Sequence, residues 1–314
     1  MSRNKGRHYL LAHRASYSYP DEVTNSYGRA LLLPRQISGQ RVHHAELQVD
    51  PAPAESSERL DVAGNRTSYF HVTAPHKILE VSATSLITVT RRRPDLHSMP
   101  SPAWADAVSA VSGVRATGRG GQGEGPAAIM AVVDGVLASE YATPSEAVLE
   151  YALPSFMGGV TLTEAFMGLC RRLSEDLQYQ PGHAGSSLES VLEQREGSAA
   201  DFAHLMSACL RAVGLSARFV SGYVDRGAER GQQVPHAWVA VWVPGGGWVH
   251  VDPVYDQLVD ERYVMLAWGR DLGDVAPLRG VAYSAEAAAT LTVEVDLTRL
   301  SGEELDRLAL HWGE

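Results

Sequence analysis

Residues 197–213 read Gly-Ser-Ala-Ala-Asp-Phe-Ala-His-Leu-Met-Ser-Ala-Cys-Leu-Arg-Ala-Val, and this stretch decides the fold. Ser198-Ala-Ala-Asp201 has the spacing of a capping box, with a hydroxyl at the N-cap and an acid three residues on. Phe202, Leu205, Met206, Cys209, Leu210 and Val213 then recur at helical spacing and predict one buried face. Gly214 stands where a left-handed residue ends such a helix. The spacing therefore predicts a helix that begins at residue 199.

Working outward, the residues that follow read as strands. Ser216–Val224 is the first, His236–Val243 the second, and Trp248–Val251 the third, with the turn Pro244–Gly247 between the last two. A helix followed by an antiparallel meander is an α+β order, not the alternation of parallel βαβ units. The hairpin brings the start of its first strand beside the end of its second. His236 and Asp252 are thus expected as cross-strand neighbours, a base and the acid that orients it. Position 199 falls at the positive end of the helix dipole, among unpaired backbone N–H groups. A thiol there would have a lowered pKa, and the N–H groups suit an oxyanion.

Upstream, residues 1–93 read as a β-rich sandwich or barrel. His8–Ala12, Ala45–Val49 and Leu79–Ala83 are short strand-like runs, and Gly64-Asn65 marks a hairpin between Leu60–Val62 and Thr67–Val72. Residues 94–125 read as a linker, rich in proline and charge at first and in glycine over Gly118–Gly125. A second domain is expected over 126–314. It would hold helices from Pro126 to about Ser139 and from about Thr163 to Leu177, then Leu291–Val295 as a strand and a short acidic helix.

Composition narrows the function. The 314-residue chain is 45% hydrophobic and 20% charged, ordinary for a folded protein. Its net charge of −10 argues against nucleic-acid binding, and the one basic run, Arg91–Arg93, reads as a solvated strand end. Cys170 and Cys209 are its only cysteines, and both fall on apolar helix faces. No metal-ligand spacing occurs, so no metal or other cofactor is expected. No apolar run is long enough to span a bilayer and the first residues carry no secretory pattern; a cytoplasmic protein is the expectation.

Several blocks together carry a resemblance. Gly197–Met206, Leu210–Tyr223, His236-Ala-Trp-Val239 and Gly247–Pro253 resemble bacterial transglutaminase-like proteins, in the order that family shows. So do His13–Tyr19, Leu33-Pro34-Arg35, Val49-Asp-Pro51, Gly64-Asn65 and Gly269–Gly280. The resemblance implies a papain-like transglutaminase core behind a β-rich N-terminal domain. It also implies cysteine-dependent acyl chemistry on a peptide or protein amide, by hydrolysis or by transamidation. The family's first block reads Gly-x-Cys-x-Asp-Phe with the cysteine as nucleophile; here that position is Ala199, with His236 and Asp252 as the remaining members of the triad. Alanine cannot attack a carbonyl. Three accounts follow: a cysteine replaced by alanine to give an inactive form, a natural pseudoenzyme that binds a peptide or partner, or Ser198 acting out of register. Ser198 and Asp201 read more simply as the helix cap, and His204 as structural. Tyr223 and Trp238 are assigned to substrate binding, Trp248 to the core or cleft wall, and His250 has no assigned role. Cys209 lies ten residues along the helix, roughly 15 Å from position 199, too far to replace the nucleophile.

Overall fold

The computed structural model describes residues 6–118, 125–182, 187–227, 234–283 and 289–312. It opens with strands β1 (Arg7–Val23), β2 (Asn25–Ala30), β3 (Gln40–Asp50), β4 (Glu55–Leu60), β5 (Arg66–Val72) and β6 (His76–Val89). Helices α1 (Trp104–Thr117), α2 (Pro126–Asp134), α3 (Glu146–Ala152) and α4 (Leu162–Asp176) follow. Next come β7 (Gln178–Tyr179), α5 (Leu188–Gln194), β8 (Glu196–Gly197) and α6 (Ala199–Ala212). The meander is β9 (Ala217–Val224), β10 (His236–Val243), β11 (Gly247–Asp252), β12 (Gln257–Leu258) and β13 (Tyr263–Gly269). The chain closes with α7 (Leu272–Val275), β14 (Leu278–Tyr283), β15 (Thr290–Leu300) and α8 (Gly302–His311).

The early strands form a sandwich. One sheet runs β15-β1-β6-β3 and the other β14-β2-β5-β4. Leu79, Val81 and Ala83 alternate along β6 and meet Ala30, Phe70 and Val72 of the facing sheet. Gly28 is required there, because an added Cβ would overlap the Phe70 ring. The hairpin at Gly64 forms as expected: Gly64 takes φ 75°, and the Asp61 carboxylate accepts from the backbone of Ala63 and Asn65.

Two features depart from the sequence expectation. Residues 94–125 were expected as a linker, yet they contain α1, whose Ala107, Val111 and Val114 are buried. Their spacing is helical; the prolines before residue 103 obscured it. The glycine-rich residues 119–124 lie outside the described residues. Secondly, β14 pairs with β2 and β15 with β1. The stretch 126–314, expected to lie in the second domain, therefore returns two strands to the sheets of residues 7–89.

The sheet β12-β11-β10-β9-β13 is antiparallel; α6 packs on one face, and α1 and α2 pack at Trp242 on the other. Ala237, Val239, Val241 and Val243 of β10 share a core with Phe202, Leu205, Met206 and Leu210 of α6. Trp238 and Ala240, the alternate residues, pack on the other face with Val220, Tyr263 and Met265. The edge strand β13 meets the sandwich through side-chain amides. Gln40 donates to Met265 O at 2.7 Å and accepts from Met265 N at 2.8 Å. Asn65 does the same to Trp268, at 2.9 and 3.0 Å. These two amides satisfy backbone groups that an open edge would leave unpaired.

Candidate active site

The helix predicted from residue 199 is present with its cap. Ser198 Oγ accepts from Asp201 N, and Asp201 Oδ2 accepts from Ser198 N at 2.9 Å and from Ser198 Oγ at 2.7 Å. Gly197 leaves room for this box, since a Cβ there would lie 2.9 Å from that of Asp201. Ser198 Oγ is thus held in the cap by both bonds, which is a structural use of the hydroxyl.

Topology sets where Ala199 lies. From α6 the chain turns through Gly214, at φ 85°, into β9. β9 is antiparallel to β10, with Ala217 opposite Val241 and Gly222 opposite His236. The carboxyl end of α6 therefore sits by the far end of β10, and the helix runs beside β10 in the same direction. Fourteen helical residues span about 21 Å and eight strand residues about 26 Å. Ala199 and His236 accordingly lie at the same end of the helix–sheet layer, with 5% and 3% of their surfaces exposed.

His236 and Asp252 are in direct contact. His236 Nε2 lies 2.7 Å from Asp252 Oδ2, both side chains being buried. Two more donors converge on that carboxylate: Tyr263 Oη gives its proton to Oδ2 at 2.6 Å and Val254 N to Oδ1 at 2.9 Å. With the carboxylate as acceptor, the imidazole proton belongs on Nε2, which leaves Nδ1 as the basic nitrogen. Behind the acid, Cys170 Sγ donates to Asp252 O at 3.3 Å. Burial pushes the Cys170 thiol far up and the Cys209 thiol up to about 12, so neither is a nucleophile near neutral pH.

Aromatic rings join the helix entrance to the histidine. β7 and β8 pair in parallel, with Tyr179 opposite Gly197, two residues before Ala199. Tyr179 sets its ring edgewise on Tyr255, with centroids 6.4 Å apart, and Tyr255 stacks on His236 at 5.3 Å. Burial raises the Tyr179 phenol above its usual range. Tyr179, Tyr255 and Tyr263 were not singled out from the sequence. Tyr255 follows Asp252-Pro253 closely enough to have been flagged, whereas nothing local distinguishes Tyr263.

Two side chains assigned to substrate binding lie elsewhere. Tyr223 is fully buried, with its hydroxyl 2.6 Å from His13 Nδ1, and it ties β9 to β1. Trp238 is also fully buried; its Nε1 donates to His250 Nδ1 at 3.1 Å, and its ring flanks His236 at 6.3 Å. Neither presents surface to a ligand. An aromatic residue on a strand beside the site can line a cleft or fill a packed face, and sequence does not distinguish the two. Gly222, opposite His236, leaves space for Trp238, whose ring would lie 2.6 Å from an added Cβ. His204 is structural: its Nε2 accepts from Leu272 N at 3.1 Å, and its ring stacks between Tyr141 and Phe219. Among the described residues no cluster of His, Cys, Asp and Glu is arranged to hold a metal ion.

A helix that begins at the same end of the layer as a strand-borne histidine, itself held by an aspartate on the next strand, belongs to an α+β core of the papain-like type. The comparisons agree. Residues 157–253 match the transglutaminase-like superfamily and residues 9–88 the bacterial transglutaminase-like N-terminal region. The chain belongs to this transglutaminase-like family. Uncharacterized proteins of Mycobacterium tuberculosis and Mycobacterium bovis are 37% identical to it, over 95% of this chain and 94% of theirs. A protein-glutamine gamma-glutamyltransferase of Pseudomonas aeruginosa is 40% identical over 81 residues, which is 23% of this chain and 12% of that protein. Among solved structures, a candidate cysteine protease from Cytophaga hutchinsonii superposes with a TM-score of 0.70 at 19% identity, covering 94% of this chain and 91% of that one. That likeness establishes the fold. No helix among the described residues is long and apolar enough to cross a membrane.

Proposed function

We propose that the protein is built for cysteine-dependent acyl chemistry on a peptide or protein amide, with position 199 as the nucleophile site, His236 as the base and Asp252 as its orienter. The buried 2.7 Å contact between His236 Nε2 and Asp252 Oδ2, at the end of the layer where α6 begins, carries this reading. In the reaction, a thiol at 199 gives its proton to His236 Nδ1 and its sulfur adds to the amide carbonyl. Backbone N–H groups at the start of α6 receive the developing oxyanion. Collapse of the adduct breaks the C–N bond, and the imidazolium protonates the departing amine. Water or a second amine then takes the acyl group from the thioester, with His236 again as base. The chain as written carries a methyl group at 199 and is catalytically silent, so amide substrates are held without turnover.

Restoring the thiol tests this. Ala199→Cys introduces one reactive cysteine against a quiet background, since Cys170 and Cys209 are buried with raised pKa values. The expected result is labelling by a thioester-forming acyl probe at neutral pH, lost on adding His236→Ala and weakened by Asp252→Asn. Labelling that ignores the state of His236 would remove the triad reading. Binding of a glutamine-containing peptide to the alanine form, weaker than to Ala199→Ser by no more than the loss of one hydroxyl contact, would instead favour a binding module.

A further inference from the structure

On the sheet face opposite α6, behind Trp238, lies a second cavity of about 460 Å³. Arg91, His250, Trp248, Trp268, Ile37 and Met265 line it, and no acidic side chain does. Arg91 and His250 present N–H donors to it, and Ser38 adds a hydroxyl. Arg91 Nη1 reaches Tyr263 O at 3.4 Å, but its Nη2 is buried with no hydrogen-bond partner among the described residues. The tautomer of His250 follows from its neighbour. An indole N–H only donates, so His250 Nδ1, 3.1 Å from Trp238 Nε1, must be the bare nitrogen. The ring proton is then on Nε2, which has no acceptor among the described residues.

Charge points the same way. The Arg218 guanidinium lies 3.7 Å from the Trp248 ring centroid and 5.1 Å from that of Trp268, and the Arg35 guanidinium stacks on Trp268 at 3.5 Å. Burial draws Arg91 down to about 10 and Arg218 to about 9, with Arg35 adding repulsion at Arg218. Asp260 opposes this at Arg91 and Asp134 at Arg218, both without a hydrogen bond to the arginine. Burial, with Arg91 and Arg218 nearby, keeps His250 neutral down to about pH 3. Buried donors cost free energy when unpaired, and a protein of net charge −10 has many acids to spare for pairing. None hydrogen-bonds Arg91 or lines this cavity among the described residues.

We propose that this cavity is a binding site for a small organic oxyanion, a carboxylate or phosphate held by Arg91 Nη2 and His250 Nε2–H with its apolar body against the apolar lining of Ile37, Val259 and Met265. A planar guanidinium matches either anion, and that lining favours a ligand with an apolar body. The site shares one hydrogen bond with the wall of the proposed active site, through Trp238, but it does not depend on residue 199.

The test uses the full chain as it stands. Benzoate and inorganic phosphate are titrated separately, with chloride as the ionic-strength control. Heats of binding and the indole N–H resonance of Trp238, identified by its loss in Trp238→Phe, are followed together. Saturable binding that moves the Trp238 resonance is expected. Saturation by benzoate alone identifies a carboxylate ligand, and saturation by phosphate alone a phosphate ligand. Arg91→Gln should weaken binding about tenfold or more, as expected for losing one charge-assisted hydrogen bond, and Arg91→Lys should recover part of it. If Arg91→Gln does not fold, the Trp238 shift in the unaltered chain still decides. No saturable binding of either anion, or binding without a Trp238 shift, overturns the proposal.

Discussion

The two faces of the β12-β11-β10-β9-β13 sheet are built from alternate residues of the same strands, yet they differ in kind. Along β10 the helix-facing residues are Ala237, Val239, Val241 and Val243, all apolar, and they meet an apolar helix. The opposite face carries His236, Trp238 and Trp242 from the same eight residues, and Asp252, His250, Tyr263 and Arg218 from the neighbours. The first face is held by area removed from water, which tolerates exchange among aliphatic residues. The second combines apolar and aromatic packing with directional bonds such as those from Trp238 to His250 and from Tyr263 to Asp252, and leaves Arg91 Nη2 without a partner among the described residues. A strand buried on both sides can therefore meet an apolar helix on one face and a mixed polar and aromatic set on the other.

The largest way to strain this comparison is acid. His204 packs on the helix side, His250 on the opposite face, and His13 bonds Tyr223 at the sandwich junction. Burial holds their pKa values down to about 4, 3 and 4, against an ordinary value near 6.5. As pH falls below about 6.5 the unfolded chain takes up protons that the native chain refuses, so stability falls progressively toward about pH 4. Urea midpoints across this window should drop steeply. His204→Gln and His250→Gln should each flatten part of the slope, and their shares apportion it between the faces. A flat profile would mean that these rings are not buried as neutral species.

Side-chain deletions separate the two kinds of bonding more gently. Phe202, 1% exposed in the helix-facing core, should cost about 3–5 kcal/mol as Phe202→Ala, with no change in any labelling at position 199 beyond that due to unfolding. Asp252→Ala leaves Tyr263 Oη, Val254 N and His236 Nε2–H without their acceptor, and should cost about 2–3 kcal/mol. Asp252→Asn keeps an acceptor and should cost less, while weakening labelling in the Ala199→Cys background. Equal behaviour of the alanine and asparagine variants in both measurements would show that the two faces do not divide the labour.

Much of this was legible in the sequence because it is local. The cap at Ser198, the helix to Ala212, the turn at Gly214 and the His236 strand are each set by residues within one or two turns of one another. The His236–Asp252 contact followed from a hairpin whose register is short-range. What could not be read is set by pairings beyond a single hairpin. Tyr263 is only 11 residues from Asp252 but its strand, β13, pairs with β9 and not with β11, and Tyr223 finds His13 210 residues away. The return of β14 and β15 to the sandwich depends on edges left open by β2 and β1, which no local pattern reveals. The helix α1 was readable from Ala107, Val111 and Val114, and was missed because nearby prolines weighed more than periodicity.

The smallest expected effect bears on the residue beside the missing thiol. Ser198 completes the capping box, and its hydroxyl is engaged with Asp201 on two sides. If that is its whole role, Ser198→Ala should lower stability by about 1 kcal/mol, read from the denaturation midpoint. Labelling of the Ala199→Cys form by an acyl probe should survive, slowed only as far as fraying of the first turn disturbs the helix amino end. An acyl-enzyme on the unaltered chain that vanishes with Ser198→Ala would reverse this, making the hydroxyl a nucleophile and the alanine beside it a bystander. The cap geometry opposes that outcome, because Ser198 Oγ already gives its proton to a buried carboxylate that holds the helix start, and an attack would have to dismantle the turn that positions it.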